Sequence, residues 1–204
     1  MFLLKYDNDM NNNRLYLALS IVTLVALQYL LMSVAFNDIA YIIVGDNPFL
    51  SLFGAFNNVI LSLFPIFVFF FLVCSTNFML DLFEIRNISS KEIMVLIGLS
   101  MIPLLIGMIF YNVSVLFFMQ ENPHKIEDVE NLHFLFNLQI EDFGLINKLC
   151  WFIMYYLIFA ILYFKYQLSI IQALLTTLVP TLLFLVFCYM IKSFGSNQWH
   201  VQNI

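Results

Sequence analysis

The chain has 204 residues, 63% of them hydrophobic and only 10% charged, with a formal net charge of −5, whereas soluble domains run near 45–50% apolar and about 25% charged. A mean hydropathy of +0.94 excludes an ordinary water-soluble globule. The acidic balance argues against nucleic-acid binding and against broad attraction to anionic lipid. Five runs carry no Asp, Glu, Lys, Arg or His: Leu15–Asn37, Asn47–Leu80, Ile93–Gln120, Leu149–Phe164 and Tyr166–Ile191. Spanning helices need about 20 predominantly apolar residues each, so the expected fold class is all-α, a polytopic integral membrane bundle of five transmembrane helices.

Residues 1–14 read as a short cytoplasmic N-terminus, polar at Asp7, Asn8, Asp9 and Asn11–Asn13 and closed by Arg14 as an interfacial anchor. The apolar run after Arg14 is too long for a signal-peptide core and lacks a small-x-small cleavage site, so it reads as a retained first span, 15–36. Gly45-Asp46-Asn47-Pro48 marks a turn, and Phe49, Phe53 and Phe56 after it predict a segment in the interface, where rings are favoured. The second span is expected over 59–80, closed by Asp81, Glu84 and Arg86. Ser89-Ser90-Lys91-Glu92 reads as a capping box, opening a third span over 93–119.

Residues 120–142 form the one sizeable polar connection, rich in Glu and Asp and read as an acidic outer loop without the alternating carboxylates of a calcium loop. The fourth span is placed at 143–164, with Lys148 snorkelling to the headgroups. Lys165 then falls between two apolar runs, which predicts a tight hairpin over Phe164–Leu168. Ser169-Ile170-Ile171-Gln172 is a second capping box, starting a fifth span over 169–191. A short tail, 193–204, follows, so that residues 15–192 make the bundle. Lys and Arg near span ends set the orientation: an N-in, C-out arrangement gathers Lys5, Arg14, Arg86, Lys91 and Lys165 on the cytoplasmic side, against Lys125, Lys148 and Lys192 outside.

Ser/Thr-x-x-Pro occurs three times inside spans, at Ser62–Pro65, Ser100–Pro103 and Thr177–Pro180. Each proline frees the carbonyl four residues before it, on Leu61, Leu99 and Thr176, and a nearby hydroxyl can bond the backbone and bend the helix. These are candidate hinges; static packing kinks are the alternative. Ser75, Thr76, Asn77, Asn112, Ser114, Gln172, Thr176 and Thr177 read as hydrogen-bonding glue between helices or as the lining of a polar groove. Gly98 and Gly107 lie on roughly opposite faces of the third span and no GxxxG occurs in a span, so packing is expected to rely on Phe, Leu and Ile.

No Asp, Glu, Lys, Arg or His sits within the five runs, which counts against a carboxylate-driven transporter. No HExxH motif occurs and the histidines are scattered, so no metal, cofactor or catalytic residue is expected. Cys74, Cys150 and Cys188 read as small packing residues. The mixed cluster Asp81, Glu84, Arg86, Lys91 and Glu92 is a candidate docking face for a soluble partner such as an ATPase, or else a solvated loop.

Two local patterns carry a resemblance. Leu99-Ser100-Met101-Ile102-Pro103-Leu104 in the third span and Glu141-Asp142-Phe143 entering the fourth, with closely spaced second and third spans and a tight last hairpin, resemble the Yip1-like family of small five-span membrane proteins over residues 50–192. The Asp-Leu-Tyr-Gly-Pro type motif of the vesicle-trafficking members is absent, and the hydrophilic N-terminal region typical of the family is reduced to residues 1–13. The resemblance therefore implies a bacterial accessory or scaffold protein, in some cases beside an ABC-type exporter, with no catalytic residues to carry over. The short charged link followed by Ile88-Ser89-Ser90-Lys91-Glu92 is also similar to permease subunits of ABC-2-type exporters.

The expected function is that of a non-enzymatic accessory protein of the bacterial cytoplasmic membrane, associating with other membrane components such as an ABC-type exporter. The alternative is a permease or immunity-type subunit of an ABC-type peptide or lipid exporter. Expected partners are the lipid bilayer and a membrane protein, an exporter ATPase or permease, with self-association into a homo-oligomer also open.

Overall fold

Neither glycine nor proline occurs before Gly45, and nothing else in that stretch stops a helix once begun. In the computed structural model the first helix, α1, runs unbroken over Phe2–Val44. The model describes the backbone of residues 2–44, 48–121, 138, 140–183 and 186, and the side chains of 12–34, 58–60, 62–117, 138, 142–183 and 186. At 1.5 Å per residue, α1 is roughly 65 Å long, well beyond the ~30 Å hydrocarbon core of a bilayer. Its membrane-compatible part is Asn12–Val34. The polar N-terminal residues and those after Asn37 thus extend the helix instead of ending it, since Asn and Asp are weak helix formers but not breakers.

The expected Gly-Asp-Asn-Pro turn falls between α1 and α2, and its residues 45–47 lie outside the described ones. Helix α2 covers Pro48–Leu82, with proline at the first helical position, where its missing N–H costs nothing. The aromatic segment expected in the interface is therefore the start of α2. Helices α3 (Ser90–Ser100) and α4 (Ile102–Glu121) divide the third apolar run, α5 covers Ile140–Phe164, and α6 runs over Ile170–Leu183. Residues 122–137 of the acidic loop, and the fifth expected span beyond Leu183 except for 186, lie outside the described residues.

Among the described residues, four stretches are long and apolar enough to cross a membrane: Asn12–Val34, Asn58–Leu82, Ser90–Phe117 and Asp142–Phe164. The shorter α6 is also apolar. α1 lies at the centre, packing along α2, α3 and α4, while α5 lies on α4 and α3. Its buried residues Ala18, Ile21, Val22, Val25, Ala26 and Tyr29 repeat at three- and four-residue steps, which puts them on one stripe of the helix. Against that stripe sit Phe69 and Leu72 of α2, Ile97 of α3 and Leu104 of α4, with Met154 and Ile158 of α5 completing the core.

The two glycines of the third apolar run mark close approaches, contrary to the expectation that large side chains alone set the spacing. A Cβ on Gly98 would stand 2.7 Å from Ala18 Cβ and 3.0 Å from the Ala18 carbonyl oxygen. One on Gly107 would stand 2.6 Å from Cys150 Sγ. Without a hydrophobic driving force between helices in lipid, such close packing is a main source of association. Because the glycines face opposite ways, α3 meets α1 and α4 meets α5.

Candidate functional site at the basic end of the bundle

Two tight connections lie at one end of the molecule. After α2, the Glu84 N–H donates to the Asp81 carbonyl (3.0 Å) and the Ile85 N–H to the Leu80 carbonyl (2.9 Å), while Glu84 is left-handed at φ 59°. This is a Schellman closure, in which glycine normally takes the left-handed position. The chain then enters α3 through the expected capping box. Ser89 N–H donates to Glu92 Oε2 (2.9 Å) and Glu92 N–H to Ser89 Oγ (3.3 Å). The link is thus fixed at both ends, with Asp81, Glu84 and Arg86 exposed along it.

The second connection joins α5 to α6. Gln167 is left-handed at φ 54°, and Ser169 and Gln172 form the second expected box, Ser169 N–H to Gln172 Oε1 at 3.1 Å and Gln172 N–H to Ser169 Oγ at 3.3 Å. The Lys165 ammonium stands 3.4 Å from the Tyr166 hydroxyl and 4.9 Å from the centre of its ring. Burial, and then the Glu92 carboxylate, push the Tyr166 phenol above its ordinary value, so it stays protonated and neutral.

Between these connections lies a cavity of about 370 Å³. Arg14 of α1, Lys91 of α3 and Lys165 of the last hairpin line it, with Glu92 and Tyr166 beside them and Leu96, Leu99, Ala160 and Ile161 as apolar walls. The five residues expected to form one docking cluster therefore divide. Lys91 and Glu92 border the cavity, with Glu92 engaged in the α3 cap, and Asp81, Glu84 and Arg86 occupy the exposed link. The convergence of Arg14 and Lys165 with Lys91 is not legible in an acidic chain read residue by residue, because it depends on how three helices pack.

The candidate hinges behave differently from one another. At Pro103 the helix is interrupted: Met101 (φ −80°, ψ −2°) donates its N–H to the Gly98 carbonyl, a tighter turn than the α-helix makes, and separates α3 from α4. Met101 and Ser100 are nevertheless buried in the core. Pro65 lies inside an uninterrupted α2, and Pro180 inside an uninterrupted α6. The three hydroxyls donate to Val59 (Ser62, 2.8 Å), Leu96 (Ser100, 2.8 Å) and Ala173 (Thr177, 2.9 Å). Each hydroxyl has one proton to give, so none serves a carbonyl that its proline frees.

Polar residues within the apolar helices mostly bond their own backbone. Ser75 and Ser114 donate to carbonyls one turn earlier. Asn77 donates to Val73 and accepts from Ser90, bridging α2 to α3. Asn112 of α4 donates to the Gln28 carbonyl (3.0 Å) and side chain (2.7 Å) of α1, and among the described residues its buried Oδ1 has no hydrogen-bond partner, nor has Thr176 Oγ1. Tyr29 donates to Asn147 at 3.3 Å, and Ser33 of α1 bonds Asn58 of α2. These links through Gln28, Tyr29 and Ser33 escape a sequence reading because polar side chains on α1 reveal nothing of their partners. Among the described residues, no group of three His, Cys, Asp or Glu stands close enough to hold a metal ion.

The class these features define is an all-helical bundle in which four apolar stretches of the described residues are long enough to span a membrane, with Arg14, Lys91 and Lys165 gathered at one end. The chain matches no family model, no curated protein and no solved structure.

Proposed function

We propose that this chain is a five-span, N-in/C-out protein of the bacterial cytoplasmic membrane that serves as a non-enzymatic accessory subunit, docking an ABC-type exporter through the link between α2 and α3. The observation that carries the reading is the form of that link. A Schellman closure on one side and a capping box on the other hold Asp81, Glu84 and Arg86 in fixed, solvent-facing positions. Glu84 occupies a left-handed position that glycine fills at lower cost, and strain of this kind concentrates where a side chain has a job to do. A rigid, charged projection at the end of a helix pair is what gripping a soluble ATPase requires. The Yip1-like sequence resemblance supports the same role.

A further support is the uneven cover of the helices. Only 17% of the apolar window of α5 is buried, against 39%, 35% and 44% for those of α1, α2 and α3–α4. Leu145, Leu149, Phe152 and Tyr156 line one exposed face of α5, a stripe suited to another membrane helix. The test is co-purification of the protein with its exporter ATPase from the native membrane. Charge reversal by Glu84→Lys with Arg86→Glu is expected to break the association while sparing the ATPase activity itself; collapse of that activity would replace the accessory reading with the permease-subunit alternative. Unchanged association would refute the docking role. Reaction of cysteines placed at Asn8 and Asn203 from the same side of the membrane would refute the odd number of spans.

A further inference from the structure

The geometry points to the cavity between α1, α3 and the α5–α6 hairpin as a binding site for the phosphate headgroup of an anionic amphiphile. Three cations far apart in sequence, Arg14, Lys91 and Lys165, are brought to one opening of about 370 Å³, a volume within the roughly 300–1,000 Å³ typical of ligand sites. One carboxylate, Glu92, borders them. Glu92 Oε2 accepts from both the N–H and the hydroxyl of Ser89, at 2.9 and 3.1 Å, so the carboxylate is held in the helix cap, and three cations against its single charge leave the rim net positive.

Lys165 is steadied from below. Its ammonium lies over the Tyr166 ring and beside the hydroxyl, which leaves its remaining protons free to meet an anion. Lys91 stands in the first turn of α3, where the helix dipole adds to the attraction for negative charge. Inward of this rim the walls become apolar at Leu99 and Ile161, inside the helices long enough to cross a membrane. A rim of positive charge above an apolar wall at a helix end suits a phosphate with a hydrocarbon chain attached, and basic pockets between membrane helices commonly hold acidic headgroups. The site shares Glu92 with the cap that closes the α2–α3 link, but its cations are not the Glu84 and Arg86 of the docking test, so failure of one reading leaves the other intact.

The test uses the full chain in a neutral detergent, with dioctanoyl phosphatidylglycerol, dioctanoyl phosphatidylcholine and inorganic phosphate as separate probes, read by native mass spectrometry and by the shift in melting temperature. One phosphatidylglycerol per chain is expected to bind, and phosphatidylcholine to bind far more weakly. At roughly fivefold per surface charge, Lys91→Gln with Lys165→Gln is expected to weaken binding by about 25-fold. Lys91→Arg with Lys165→Arg keeps the charge and is expected to keep the binding, and Lys148→Gln, which lies outside the cavity, is expected to change nothing. Inorganic phosphate competing in millimolar amounts would assign the site to the free anion, and its failure to compete would assign it to the lipid; both support a phosphate site. Equal binding of the two lipids, or undiminished phosphatidylglycerol binding by the folded Gln variant, would overturn it.

Discussion

The seam between α1 and α3 and the seam between α4 and α5 are both built on a glycine of the same apolar run, yet they differ in what faces it. Gly98 meets the backbone of Ala18, which cannot move without moving α1. Gly107 meets the sulfur of Cys150, the far end of a side chain that can rotate. The first seam is therefore a fixed distance at the centre of the bundle and the second an adjustable one at its edge. Coverage follows the same division, with α5 far less buried than the helices around α1.

The sharpest way to break this contrast is Gly98→Ala, which forces α3 off α1. Overpacking of a tight contact costs about 1–3 kcal/mol, and the upper end is expected here, read as a lowered midpoint of unfolding in mixed micelles. Next is Asn112→Leu, which removes the two hydrogen bonds to Gln28. Polar contacts between membrane helices average ~0.6 kcal/mol and reach ~1.7. A loss of about 1 kcal/mol is expected in the same assay, moderated because the unpartnered Oδ1 goes as well. Gly107→Ala should cost less than about 1 kcal/mol, and combining it with Cys150→Ala should abolish that cost, a non-additivity expected of residues in contact. The smallest effect is reserved for Gly144→Ala on α5, where a Cβ would meet nothing within 4 Å. Better helix propensity should make that change stabilising by about 0.5–1 kcal/mol. An equal penalty for Gly98→Ala and Gly107→Ala would remove the distinction between the two seams.

Some of the architecture is plain in the sequence. The two capping boxes at Ser89 and Ser169 are local, set by a three-residue spacing that backbone geometry dictates, and both form as read. The hairpin at Lys165 follows from a charge between two apolar runs. The length of α1 is not read from the sequence: polarity at Asn11–Asn13 and Asp38 argues for ends that the backbone does not need, although the first breaker is Gly45. Proline position alone does not distinguish the break at Pro103 from the continuous helices at Pro65 and Pro180. The basic cavity is the least legible feature. Read from the sequence, Arg14, Lys91 and Lys165 gather on one side, with Lys91 assigned to a docking cluster, but only the packing of α1, α3 and α5 makes them neighbours.

That packing puts the α2–α3 link and the α5–α6 hairpin at one end of the bundle, opposite the end where α4 stops and α5 starts, so the proposed membrane arrangement places them on one side. Single cysteines at Asn87, Gln167 and Asn131, on a cysteine-free background in sealed vesicles, test this directly with an impermeant thiol reagent. Asn87→Cys and Gln167→Cys are expected to react from one side and Asn131→Cys from the other. Reaction of Gln167→Cys from the same side as Asn131→Cys would contradict the bundle and dissolve its basic end.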